Sequence, residues 1–424
     1  MTISSSLNAG VMGLNVNATR LATISDNIAN SATYGYKRAD VEFSSLVVNQ
    51  RPAVYSAGGV RATTIRQVAD TGSLISTGSA TDIAINGNGM IPVTDISGVT
   101  ATPSERPFQM VPTGSFSADA DGYMRTNSGL FLMGWELDAS GNVSTASRTS
   151  QSGLVPINLN AGQFSAVRTS EVNLGVNLPG DPSTLPPSNT LTLPIEYYNE
   201  IGLSNRMDVD FVRNPGGDWT VNVNDFSGGA ANQVGTFNVT FNSDGTVAGV
   251  TDGAGATYTG TSGNVRIALP SGSVDIFVGR VGTSQGLTQI GSSFQTQNAT
   301  ANGSAAGELQ TVEINTDGML EAIYNTGARR TLFQIPVATV NNPDGLTPQG
   351  NQAYSVSRSS GDFYLWNAGD GASGTIQSYT LMESNTDIAA ELTNLIETQR
   401  AYSSNAKIVQ TVDEMLQETT NLKR

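Results

Sequence analysis

Apolar residues recur every seven positions at both ends of this 424-residue chain. Near the start, Leu7, Leu14, Leu21 and Ile28 keep that spacing, with Val11, Ala18 and Ile24 beside them. Near the end, Ile388, Leu395, Tyr402, Val409 and Leu416 repeat it, and Leu392 and Ala406 fill the alternate positions. A period of seven puts all members of a set on one helical face, as in helices that coil around a partner. The spacing therefore predicts two terminal helices, about 39 and 50 Å long at 1.5 Å per residue, whose apolar seams are expected to be an assembly interface packed against helices of other subunits. Ser4 to Ser6 are expected to cap the first helix, and Asn30-Ser31-Ala32-Thr33-Tyr34-Gly35 to end it. Ser384, with Asp387 three residues later, is expected to open the second as a capping box. Gly10 and Gly13 each cost a helix roughly 1 kcal/mol against alanine, so the first helix is marginal without a partner surface.

Between the helices the sequence reads as strands and tight turns. Glycine is abundant, at 46 residues, and turn dipeptides recur. Phe116 to Tyr123, with Asp121-Gly122, predicts a hairpin. Leu137 to Val143, Phe241 to Val247, Ile314 to Leu320 and Ile83 to Met90 predict others, the last turning at Asn86-Gly87. Met207 to Val212 and Trp219 to Val223 alternate as half-buried strands. Pro179 to Ser188 and Asn298 to Gly307 read as loops or linkers. The expected fold is mainly β with α-helical termini: a nested multidomain chain with coiled-coil-like ends and two discontinuous or inserted β domains. Its expected parts are a terminal helical domain (1–30 and 385–424), a first β domain (31–146 and 288–384) and an inserted outer β domain (147–287).

The composition excludes most chemistry. The chain has no cysteine and no histidine, so Ser-His-Asp and Cys-His nucleophiles are absent, along with the commonest zinc ligand. Gly282 to Gly286 has the spacing of a hydrolase elbow, but no histidine exists to activate Ser284, and it reads as a loop. Asp119, Asp121 and Gly122 fail the EF-hand register, because Ser117 and Ser128 stand where acidic ligands belong. No catalytic, cofactor or metal site is expected. A net charge of −15 and only three lysines argue against nucleic acid, and no lysine follows a glycine-rich phosphate loop. No run of about 18 apolar residues exists for a membrane span, and Met1 to Ser6 has no basic region leading into an apolar core. Export, if it happens, is expected to proceed without a cleavable signal peptide.

The ends also carry longer motifs. Ile24 to Lys37, including Asn27, Asn30, Thr33, Gly35, Tyr36 and Lys37, resembles the N-terminal signature of flagellar rod and hook axial proteins. Asp26, Ser31-Ala32 and Tyr36 are mild departures from it. Thr71 to Gly78, then Asp82 to Gly89 with Gly87 and Gly89, is similar to that family's first β motif, although Met90-Ile91 replaces its usual Phe-Phe. Gly114 to Tyr123, ending at Gly134-Trp135, also matches. So do Asn385 to Glu391, Thr398-Gln399-Arg400-Ala401-Tyr402 and Asp413 to Leu416. The inserted material from Ser147 to Leu287, with a returning half from Glu308 to Ser357, resembles the hook branch more than the distal rod. The resemblance implies an extracellular structural subunit that polymerises with itself into a flexible hollow tube and transmits motor torque. It also implies the distal rod, hook cap, hook–filament junction proteins and flagellar export apparatus as partners. A distal rod or other axial subunit is the alternative. A secreted β-rich adhesin fits the composition but not helices at both termini.

Overall fold

The computed structural model describes residues 3–46, 58–138, 141, 143 and 147–421. It is mainly β, with long helices at Ile3–Ala29 and Ile388–Asn421. The first helix begins at Ile3, so Ser4 to Ser6 lie inside its first turn rather than ahead of it. The second is capped by Asp387, whose Oδ1 accepts from the amides of Ala389 (2.8 Å) and Ala390 (3.2 Å). Ser384 instead accepts from Thr386 N within the approach. A carboxylate at the N-cap serves two amides and also opposes the helix dipole, so the acidic residue takes the cap.

The chain divides into two compact units, and the first contains both ends. It comprises residues 1–161, 312–322 and 330–424. Its β part begins with Ala39–Ser45 paired to Val60–Arg66. Asp82–Asn86 lies between Thr375–Ser378 and Thr113–Ala118, so an early strand is held by a very late one. Ile91–Thr94 lies between Gln109–Val111 and Phe131–Glu136. Part of the core consists of Met90, Met110, Met133, Trp135, Leu154 and Leu365 with neighbours.

The second unit comprises residues 162–311 and 323–329. A five-stranded antiparallel sheet runs in sequence order from Thr190–Tyr198 to Val247–Asp252. In it Val209 faces Val223 and Phe211 faces Val221, as the alternation in those segments predicts. In the other sheet, Glu171–Leu178 runs parallel to Gly272–Phe277 and antiparallel to Gln295–Ala301. One apolar cluster joins the two sheets and includes the fully buried Trp219, Tyr197, Phe211 and Phe237.

Several expectations shift. The inserted unit starts near Gly162, not Ser147, because Leu154 is buried in the first unit's core and Val155-Pro156 pairs with Met133-Gly134. It ends near Thr311, not Leu287, because Gln295–Ala301 completes its second sheet. The polar stretch Asn298 to Gly307 is therefore strand and tight turn, not linker: Thr and Ala alternate along a ladder to Val172–Asn177. Pro179 to Ser188 is a loop inside the second unit. Asn86 to Gly89 makes no hairpin, since Asp82–Asn86 and Ile91–Thr94 pair with other strands. Gly87 and Gly89, with φ of +112° and +122°, carry the chain from one partner set to the other, and a Cβ at Gly89 would meet Val337 Cγ1 at 2.3 Å. The Asp119–Gly122 turn closes as read, with Asp119 Oδ1 accepting from the amides of Asp121 and Tyr123. Leu137 and Val143 bridge, though Ala139, Ser140 and Asn142 of that turn lie outside the described residues.

Candidate assembly interface

The two terminal helices pack along each other within the first unit. The residues that bury there are small or polar for the most part and are not those of the apolar seams. On the first helix Gly10, Asn17 and Ile24 are buried at intervals of seven, with Gly13, Val16 and Asn27 beside them. On the second, Glu391, Thr398 and Val412 are buried, with half-buried Asn405 completing the same interval. Each set stands three residues on from its expected seam, about 60° round at 3.6 residues per turn. Gly10 and Gly13 let the backbones approach. A Cβ at Gly10 would lie 3.2 Å from Val409 Cγ2, and one at Gly13 2.8 Å from Asn405 Nδ2. The glycines that weaken the helix in isolation are thus what admits its partner.

The apolar seams flank this contact and stay partly in solvent. Leu7, Leu14, Leu21, Ile28, Leu395 and Val409 are half-buried. Ile388, Tyr402 and Leu416 are exposed by 49, 42 and 39%. Leu392, Ile396, Ile408 and Met415 add to the surface. The last three fall outside the seven-residue count, but 388, 392 and 396 form a ridge at intervals of four that a helical wheel displays. These residues leave apolar flanks partly in solvent along the helix pair. Gln399 and Arg400 lie exposed on the second helix.

At the root of the helices the motif residues converge. Asn27 clamps the first strand at two points: its Nδ2 donates to Ala39 O (2.8 Å), and its Oδ1 accepts from Ala39 N (2.9 Å). The same Nδ2 donates to Glu391 Oε1 (3.2 Å) on the other helix. Glu391 is fully buried and ion-paired with Arg38. Burial opposes the Arg38 charge, but the hydrogen bond and charge of Glu391, then Asp40, raise its pKa. Asn30 donates to Asp26 and accepts from Thr33 Oγ1 (3.2 Å), which shapes the helix exit. Gly35, at φ +72°, donates to Met382 O (2.8 Å) and ties the exit to a C-terminal strand. Tyr36 Oη lies 3.0 Å from Asp26 Oδ2. Sequence inspection missed Arg38 as the partner of Asn385 and Glu391, since it lies more than 300 positions from both.

Lys37 and the β motif meet nearby, lining a cavity of about 210 Å³ with Gly87, Gly89, Met90, Met110 and Met382. Lys37 Nζ donates to Asp70 O at 2.5 Å. Burial pushes its pKa down to about 8 from 10.5, against the pull of Asp70 and Asp344. Between those values the unfolded chain holds the proton and the folded chain does not, so stability rises with pH across that window. At 1.36 kcal/mol per unit the full gain is about 3 kcal/mol. Burial also pushes the phenols of Tyr36 and Tyr354 up to about 12. The folded state then keeps their protons longer, and stability falls from about pH 10 upward. Lys37 is expected to contribute stability that rises with pH between about 8 and 10.5, and Lys37→Met to remove that contribution. Denaturant titrations from pH 7 to 11 test this. Parallel curves for the two proteins would refute the assignment to Lys37.

Three family profiles match the chain: the flagella basal body rod protein over residues 7–37, the flagellar basal body protein FlaE D2 domain over 158–304, and the flagellar basal body rod FlgEFG protein C-terminal over 377–422. The flagellar hook protein FlgE of Brucella abortus biovar 1 is 34% identical over 427 residues, covering 100% of both chains. That of Rhizobium meliloti is 32% identical over 425 residues, again covering 100% of both. That of Escherichia coli K12 is 30% identical over 424 residues, covering 97% of this chain and 98% of its own.

Proposed function

Because the chain belongs to the flagellar hook protein family and is a structural subunit of the hook, we propose that it assembles through the apolar flanks of its terminal helix pair. The observation that carries this reading is that the intrachain contact uses Gly10, Gly13, Asn17, Thr398 and Asn405 and leaves the larger apolar residues at its edges. Leu7, Leu14, Leu21, Ile28, Ile388, Leu395, Tyr402, Val409 and Leu416 are the proposed assembly residues. Each buried Leu is worth roughly 1.5–3 kcal/mol, so a few seams per neighbour suffice for a stable polymer.

In this reading the helix pairs (1–30 and 385–424) form the inner tube around a channel. The β part of the first unit forms the wall around them. The tube bends while transmitting torque. The motif residues Asn27, Asn30, Thr33, Gly35, Tyr36, Lys37, Gly87 and Gly89 anchor the helices to the wall, while Gln399 and Arg400 face neighbouring subunits. The chain acts as a structural protein and not as an enzyme. It leaves the cell through the flagellar export apparatus without a cleaved signal, and meets the distal rod, hook cap and hook–filament junction proteins at the ends of the tube. Purified protein at rising concentration in sulfate, which strengthens apolar burial, is expected to form hollow tubes visible by electron microscopy. A chain that stays monomeric under all such conditions refutes the assembly reading.

A further inference from the structure

We infer that Asn27, Arg38, Asn385 and Glu391 form a rigid joint that fixes the direction of the helix pair against the β part of the first unit, so that bending of the polymer is taken up elsewhere. The inference rests on the assembly reading above.

Four chain segments meet at this point. Asn27 belongs to the first helix, Arg38 to the segment after it, Asn385 to the approach to the second helix and Glu391 to that helix. Arg38 Nη1 donates to Gln67 Oε1 (3.1 Å), and Arg38 N donates to Asn385 Oδ1 (2.6 Å). Asn385 Nδ2 donates in turn to the carbonyls of Gln67 (3.1 Å) and Asp70 (3.3 Å). The Arg66 guanidinium sits 5.2 Å from the centre of the Tyr36 ring, across the same root. Swinging either helix about this root requires breaking a buried ion pair and several hydrogen bonds together.

The chemistry of the cluster is directional. Apolar contacts hold surfaces together at nearly any rotation, because the hydrophobic effect has no preferred angle. A carboxylate buried against guanidinium and amide donors is favourable only in a narrow geometry, and costly when either partner is displaced. Replacing Arg38 and Glu391 by leucine would still hold the helices down. What an ion pair adds at this position is orientation. Asn27 works alike: its amide pairs with both backbone groups of Ala39, as a neighbouring strand does, and sets the helix end in register with the sheet.

Without cysteine in the sequence, spin labels can be placed at Ser104→Cys and Thr411→Cys, two exposed positions on the β part and the second helix of the first unit. The full chain is measured as monomer and within tubes diluted with unlabelled protein. A single narrow distance distribution is expected. Arg38→Met and Glu391→Leu should broaden it at least twofold, and Arg38→Lys should give an intermediate width. Should these variants unfold by circular dichroism, Asn385→Ala, at the edge of the cluster, is expected to broaden it by a smaller factor. A broad distribution in the unsubstituted labelled protein, or unchanged width in folded variants, overturns the joint. Absence of tubes from the unsubstituted protein refutes assembly instead, and the monomer distribution still decides the joint.

Discussion

Tyr402→Asp is expected to leave the folded chain as stable as before and to abolish its assembly. Tyr402 is 42% exposed on the second helix, so the new carboxylate meets water in the monomer and disturbs little. In a polymer that buries this seam, the same carboxylate loses its water without gaining a partner. Burying it costs several kcal/mol, and the tyrosine contact is lost as well. About 4 kcal/mol per subunit raises the critical concentration roughly a thousandfold. Leu395→Asp should act in the same way, with some loss of monomer stability because Leu395 is already half-buried. Sedimentation measures the polymer, and thermal melting of the monomer measures the fold. Normal tubes from Tyr402→Asp would remove this face from the interface, and a monomer that melts well below the unsubstituted chain would make the substitution a folding defect.

The terminal helices were legible because their apolar residues keep a helical period, and the paired strands at Met207 to Val212 and Trp219 to Val223 because alternation reports which face of a strand is buried. The intrachain helix contact was not. Its members are glycine, asparagine, threonine and glutamate, and a search for apolar repeats passes over them in favour of the flanking leucines. The seven-residue interval holds two registers: a small and polar one that is buried within the chain, and an apolar one that stays partly exposed. The turn at Asn86-Gly87 misled for a different reason. Asn-Gly favours positive φ, which a hairpin needs and a strand that changes partners needs equally. Long-range pairing decides between them, and Asp82–Asn86 takes partners up to about 290 positions away. The limits of the inserted unit were obscured likewise, since Gln295–Ala301 has linker composition but a complete ladder.

Removing the inserted unit should leave a chain that still polymerises, into tubes that are straighter or bend differently. The chain enters and leaves this unit as neighbouring antiparallel strands, with Phe164 opposite Glu308 and Leu309 N donating to Gln163 O (2.9 Å). A two-residue Asn-Gly turn joining Phe164 to Glu308 therefore closes the gap with the geometry of an ordinary hairpin. Cutting at Ser147 and Leu287 would be worse, because it takes Leu154 out of the first unit's core and strands Gln295–Ala301 without its partner. The deleted residues have their own core around Trp219, Phe211 and Phe237, none of which belongs to the Met90, Met110 and Trp135 cluster. The helix pair and its joint draw on none of them. The first unit should thus melt within about 1 kcal/mol of its value in the full chain, the range of changes that touch no core contact. What disappears is a unit whose strand faces turned to solvent carry Thr, Asn and Asp, as at Thr192, Asp210, Asn222 and Asn238, which suits contacts that are wet and readily exchanged. Curvature and stiffness of the tubes, measured by electron microscopy against the full chain, report its part. Unchanged curvature would take bending away from this unit, and a folded variant unable to form tubes would show that assembly depends on it.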